Sequence, residues 1–187
     1  VNTVAGMDNS IPFFCFNSAL IILSVVFSFY FLFLPSIYDE SAEIQNISRV
    51  GSVFGFLASL CFAGVAYTPA DLFIDAHIFF ADWLFRLMNM TIVFYAVTYI
   101  MMKKNYFIFS FIFGIVALVV TAHIILSDFG LAKFFNEPHT VRVLSQKAAT
   151  ISLLISVPLM TVYNQKRLSS HPITLRILAL KNYSLFI

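Results

Sequence analysis

Five apolar stretches, each long enough to cross a bilayer as a helix, follow one another along this chain with short connections. They cover residues 11–34, 50–67, 72–102, 106–127 and 143–163. A spanning helix needs about 20 mostly apolar residues. Inside hydrocarbon the backbone must satisfy its own hydrogen bonds, which leaves the helix as the conformation for such segments. The chain therefore reads as an all-α, polytopic transmembrane helical bundle over residues 1–163, followed by a basic tail over 164–187. The third stretch is long for one crossing, so it either tilts or begins outside the hydrocarbon.

Composition agrees. Hydrophobic residues make up 60% of the 187 and charged residues only 11%, against about 25% charged in a soluble domain. Such a chain lacks the charge to clothe a water-soluble surface. A formal charge of +2 gives no ground for a nucleic-acid partner. Cys15 and Cys61 both fall in apolar segments and read as reduced packing residues. No CxxC or Cys/His spacing suggests a metal or a covalently held haem.

Positive charge is unevenly distributed. Arg49, Lys103, Lys104, Lys166, Arg167, Arg176 and Lys181 fall on one side of the five crossings, and Lys133, Arg142 and Lys147 on the other. The positive-inside rule makes the first side cytoplasmic. The carboxylates Asp39, Glu40 and Glu43 share that side but count little in the rule. The C-terminus is then expected in the cytoplasm and residues 2–10 outside, in a multi-pass membrane protein. An outside N-terminus beginning at Val1 is expected to follow a further hydrophobic segment, a cleaved signal peptide or a sixth helix.

Two helices carry packing signals. In the second stretch Gly51, Gly55, Ser59 and Ala63 recur every fourth residue, a spacing that lets helix backbones approach closely. In the fifth, Ser145, Ser152 and Ser156 form a stripe, and Pro158 is a candidate kink.

Polar groups within apolar segments are costly and need a reason. On a helix turning about 100° per residue, Asp75, Asp82, Arg86 and Asn89 fall on one face of the third stretch. An unpaired guanidinium at the bilayer centre costs about 2.5–3.5 kcal/mol. Asp82 and Arg86 lie four residues apart, the spacing of a helical ion pair, so they are expected to pair. His77 points away from that face. Asn17, His123, Asp128, Gln146 and Lys147 add further polar groups, and all of these map to the outer half of the membrane. The inner half holds almost no buried polar group on this reading. His139 and His171 read as solvated histidines of a loop and the tail.

Three readings fit an outward-facing cluster. It is a packing network, or a site for a lipid headgroup or small amphiphile, or a metal site in which Asp75, His77, His123 and Asp128 activate water for lipid hydrolysis. A haem would need His77 and His123 on facing helices, and both sit close to the outer edge. Proton or ion conduction would need polar groups on both sides of the midplane. The tail from Ile173 reads as a short basic helix on the inner surface or a contact for a partner subunit.

Phe16-Asn17-Ser18 opening a helix, Arg49 just before the next, and Thr68-Pro69-Ala70-Asp71 followed by His77 resemble the pattern of a bacterial six-helix membrane family of unknown function. That family is related to the wider Frag/DRAM/Sfk group. The resemblance covers residues 2–163 in order and spacing. It implies one more helix before the Phe-Asn element, and it singles out Asn17, Pro69, Asp71 and His77 without assigning them a reaction. No catalytic signature stands in the sequence. The expected function is a non-enzymatic membrane component, an accessory subunit of a larger membrane complex or a lipid-interacting protein, with membrane lipids as partners. The alternative is a metal-assisted hydrolase of outer-leaflet lipids.

Overall fold

The computed structural model describes residues 3–4, 7–38, 41–102 and 107–170. It is an all-helical bundle: α1 Ser10–Phe33, α2 Ala42–Tyr67, α3 Ile74–Met101, α4 Phe107–Asp128 and α5 Pro138–Ser170. Each is long and apolar enough to cross a membrane. Two short 3-10 turns, Leu34–Ile37 and Leu131–Phe134, follow α1 and α4. A two-residue antiparallel pairing of Thr3–Val4 with Met7–Asp8 precedes α1. Lys103, Lys104, Asp39, Glu40, His171, Arg176 and Lys181 lie outside the described residues, as does the tail beyond Ser170.

Helix boundaries differ from the sequence reading where polar residues continue a helix. α2 begins eight residues before position 50, because Ser41 caps it: the Ser41 hydroxyl accepts from Ile44 N at 3.3 Å. Residues 42–49 are amphipathic rather than apolar, with Ile44 and Ser48 buried. α5 runs on past Tyr163 to Ser170 and continues through Pro158. The chain divides into two compact units, Val1–Leu153 and Leu154–Ile187, with the boundary inside α5.

In the first unit, α1, α2, α3 and α4 pack as successive antiparallel neighbours. Ser28 on α1 meets Ser59 on α2 at 2.6 Å, and Phe27 packs edge-on to Phe62 at 5.8 Å. Between α2 and α3, Phe54 stacks on Phe94 with centroids 5.6 Å apart. Between α3 and α4, Tyr99 stacks on Phe113 at 5.4 Å.

Close approach follows from the small residues expected on α2. A Cβ built on Gly55 would sit 2.5 Å from the Phe31 ring. Gly64, outside the expected every-fourth series, makes a second such approach, since a Cβ built there would overlap the Phe80 ring. α2 thus offers backbone to α1 on one side and to α3 on the other, as helices do when lipid gives them no hydrophobic drive to associate.

Helix ends follow from local chemistry. Thr68 closes α2 by donating its hydroxyl to the Gly64 carbonyl at 2.7 Å, and Pro69 cannot continue the helix. Gly130 stops the run after α4 with φ of 60°, the left-handed conformation glycine tolerates best.

Candidate functional site

The polar residues expected to form one cluster separate into two sites at the same end of the first unit. One lies between α3 and α4. Arg86 Nη2 donates to Asp128 Oδ1 at 2.7 Å, with the two side chains 33% and 29% exposed. The expected pair with Asp82 does not form. An extended arginine reaches a neighbouring helix as readily as the next turn of its own, and here it reaches Asp128, the last residue of α4. Asp82 is half-buried. Arg86 also lies over the Trp83 ring, 5.6 Å from its centroid, within range of a cation–π contact.

Deeper along the same seam, Asn89 Nδ2 donates to Thr121 Oγ1 at 2.9 Å, while Asn89 Oδ1 is buried without a hydrogen-bond partner. His123 lies against Phe85, with ring centroids 4.7 Å apart and planes at 71°. Its Nδ1 is 3.0 Å from Ser145 Oγ, and Ser145 spends its single hydroxyl proton on the Arg142 carbonyl. Nδ1 of His123 is therefore the donor. Asp82, Asp128 and Arg142 all lie within electrostatic range of His123.

The second site is a cavity of about 330 Å³ where α1 begins and α2 turns into α3. Pro12, Phe13, Phe16, Val65, Pro69 and Ala70 supply its apolar wall, and Asn9, Asn17 and His77 its polar groups. His77 is held by its Nδ1, 2.7 Å from the Thr68 carbonyl oxygen. A carbonyl only accepts, so Nδ1 carries the proton and Nε2 of the neutral ring is left as an acceptor.

Helix geometry explains the separation. His77 and Arg86 are nine residues apart on α3, which is about 14 Å along the axis and half a turn around it. Arg86 is twelve residues, or about 18 Å, in from the start of α3. Yet its partner Asp128 is the last residue of α4. The first turns of α3 therefore project beyond the end of α4, together with the end of α2 and the start of α1. Arg86 sits level with a helix end rather than deep in an apolar layer, contrary to its apparent depth in the sequence.

Compared with protein-family models, curated proteins and solved structures, the chain matches none.

Other expected members of the cluster lie apart from both sites. Asp71 and Asp75 are exposed, Asp75 in the first turn of α3, where a carboxylate suits the helix dipole. Gln146 and Lys147 are exposed on α5, because Ser145 is the residue that this turn directs at His123. His139 is exposed. Among the described residues no three His, Cys, Asp or Glu side chains come together to hold a metal. Asp75, His77, His123 and Asp128 are thus not gathered around one point. His77 and His123 are engaged by different segments, through Thr68 and Ser145.

The other end of the unit holds a polar network that a search for ionisable groups overlooks. Tyr95 donates its hydroxyl to the Ser48 carbonyl at 3.2 Å and accepts from Ser52 Oγ at 2.5 Å. Tyr38 and Tyr99 share a hydrogen bond at 3.0 Å. Ser110 donates to the Ala96 carbonyl at 3.1 Å. Tyr38, Tyr95 and Tyr99 are all at most 1% exposed. The expectation of an end nearly free of buried polar groups is corrected: its polar groups are the hydroxyls of buried tyrosines, each carried on a large apolar ring, and of buried serines. These bonds tie α3 to the turn after α1 through Tyr38, to α2 through Ser48 and Ser52, and to α4 through Ser110.

Proposed function

We propose that this multi-pass membrane protein is a non-enzymatic binding protein for a small amphiphile taken from the bilayer. The cavity beside His77 carries the reading. Its volume of about 330 Å³ falls at the small end of the range for ligand pockets, about 300–1,000 Å³. One wall is aromatic and aliphatic, and a few polar groups converge on it, which is the make-up of a site that orients a ligand by its polar end. Asn17, Pro69 and His77, three of the four residues singled out by the family resemblance, all line it.

The position also suits an amphiphile. The cavity lies at a bundle end, where the polar end of a membrane lipid meets water. Exposed apolar side chains on the first turns of α1, Ile11, Phe14 and Phe16, would border an acyl chain entering from the side.

Filling the cavity tests the proposal. Val65→Phe adds bulk to the lining without adding a charge. Wild type purified in detergent is expected to retain a bound amphiphile detectable by native mass spectrometry, and the variant to lose about nine-tenths of it, a change of roughly 1.4 kcal/mol. An unchanged thermal unfolding profile would show that the variant is folded. Equal retention by the two proteins would remove the proposal.

A further inference from the structure

Resting on the reading of the cavity as an amphiphile site, we infer that its ligand carries an uncharged, hydroxyl-bearing polar end, and that this hydroxyl donates to His77 Nε2. Charge comes first. Among the described residues no Lys, Arg, Asp or Glu lines the cavity. A phosphate entering it would lose water without gaining a cation, and an ammonium would lose water without gaining a carboxylate. Asp75, two residues before His77, is exposed and acidic, so it adds repulsion against an anionic headgroup.

Hydrogen-bonding capacity comes next. The Thr68 carbonyl fixes the proton of His77 on Nδ1. The ring therefore presents an acceptor, and a ligand matched to it must bring a donor. Asn17 lines the same cavity, half-buried, and its side-chain amide has no hydrogen-bond partner among the described residues. An amide both donates and accepts. A hydroxyl also does both, so one diol can satisfy His77 and Asn17 together without burying a net charge. Neutral glycerides with one acyl chain have this chemistry.

Four probes sharing one lauroyl-length tail separate the possibilities: monolauroylglycerol, methyl laurate, lauryl phosphate and laurylamine. Binding to the full chain in detergent is read by calorimetry. Monolauroylglycerol is expected to bind about fivefold to tenfold tighter than methyl laurate, the range for one or two net hydrogen bonds. His77→Phe keeps the ring and removes the acceptor, and should erase most of that ratio while methyl laurate is unaffected. Asn17→Leu should reduce the ratio with His77 still in place, which covers the case of a misfolded His77 variant.

Lauryl phosphate or laurylamine binding tighter than the glyceride would overturn the inference, as would equal binding of glyceride and methyl ester to wild type. The two layers fail differently. If Val65→Phe abolishes binding of every probe but the ratio is one, the cavity stands and the hydroxyl falls. If Val65→Phe leaves every probe bound as before, the cavity itself is not the site.

Discussion

Arg86 has two carboxylates within reach along the bundle, and the choice between them decides what the residue does. Pairing with Asp128 joins α3 to α4, whereas pairing with Asp82 would have stiffened α3 alone. Both partners are about a third exposed, so solvent screens the pair and its coupling should be near 1 kcal/mol. A double-mutant cycle on Arg86→Ala and Asp128→Ala, read by unfolding in detergent, should return that value. The same cycle with Asp82→Ala should return close to zero. A larger coupling through Asp82 would mean that the intrahelical pair forms after all. The identity of these polar residues was legible in the sequence. Their partners were not, since a side chain with several rotatable bonds selects among helices only once the helices are packed.

Among the elements, α2 has the most exacting surface. Its glycines meet Phe31 of α1 and Phe80 of α3, and no side chain fits between. Gly55→Leu and Gly64→Leu should each destabilise the protein by about 1–3 kcal/mol, the usual cost of overpacking. Gly114 on α4 has nothing within 4 Å of a built Cβ. Gly114→Ala should therefore be neutral or stabilise by up to about 1 kcal/mol through helix propensity. Thermal unfolding of the three variants checks the contrast, and a costly Gly114→Ala would show a neighbour at that face. The every-fourth pattern marked α2 as a packing helix from sequence, and Gly51, Gly55 and Ser59 are indeed buried, with Ala63 half-buried. Which aromatic ring each glycine receives depends on helix register. The tyrosine–serine network at the other end shows the same limit: Tyr95 and Tyr99 fall among the apolar residues of the third stretch and Tyr38 in a connection, and only packing brings their hydroxyls together.

For the molecule as a membrane protein, the offset of helix ends matters most. α4 has 22 residues, about 33 Å, close to the hydrocarbon thickness of about 30 Å. α3 has 28 residues, about 42 Å, and overshoots it at the end bearing His77. Residue 75 should then sit in the headgroup region or beyond, and residue 90, about 22 Å further along the axis, within the acyl chains. With Cys15 and Cys61 replaced by Ala, a cysteine at Asp75 should react with a water-soluble maleimide. A cysteine at Met90 should not. Equal reactivity would contradict the offset.

That five helices among the described residues are long and apolar enough to cross a membrane, their order and the all-α class were legible in the sequence alone. Hydrocarbon forces each long apolar segment to bond its own backbone, so segment length and composition suffice. The cavity came only from the tertiary structure. Asn17, Pro69 and His77 lie on three separate segments, and nothing in their spacing says that α1 will lean against the turn between α2 and α3. The single polar cluster read from the sequence became two sites for the same reason. Helical periodicity reports which residues share a face, but the height of one helix against another is set by side-chain packing between them.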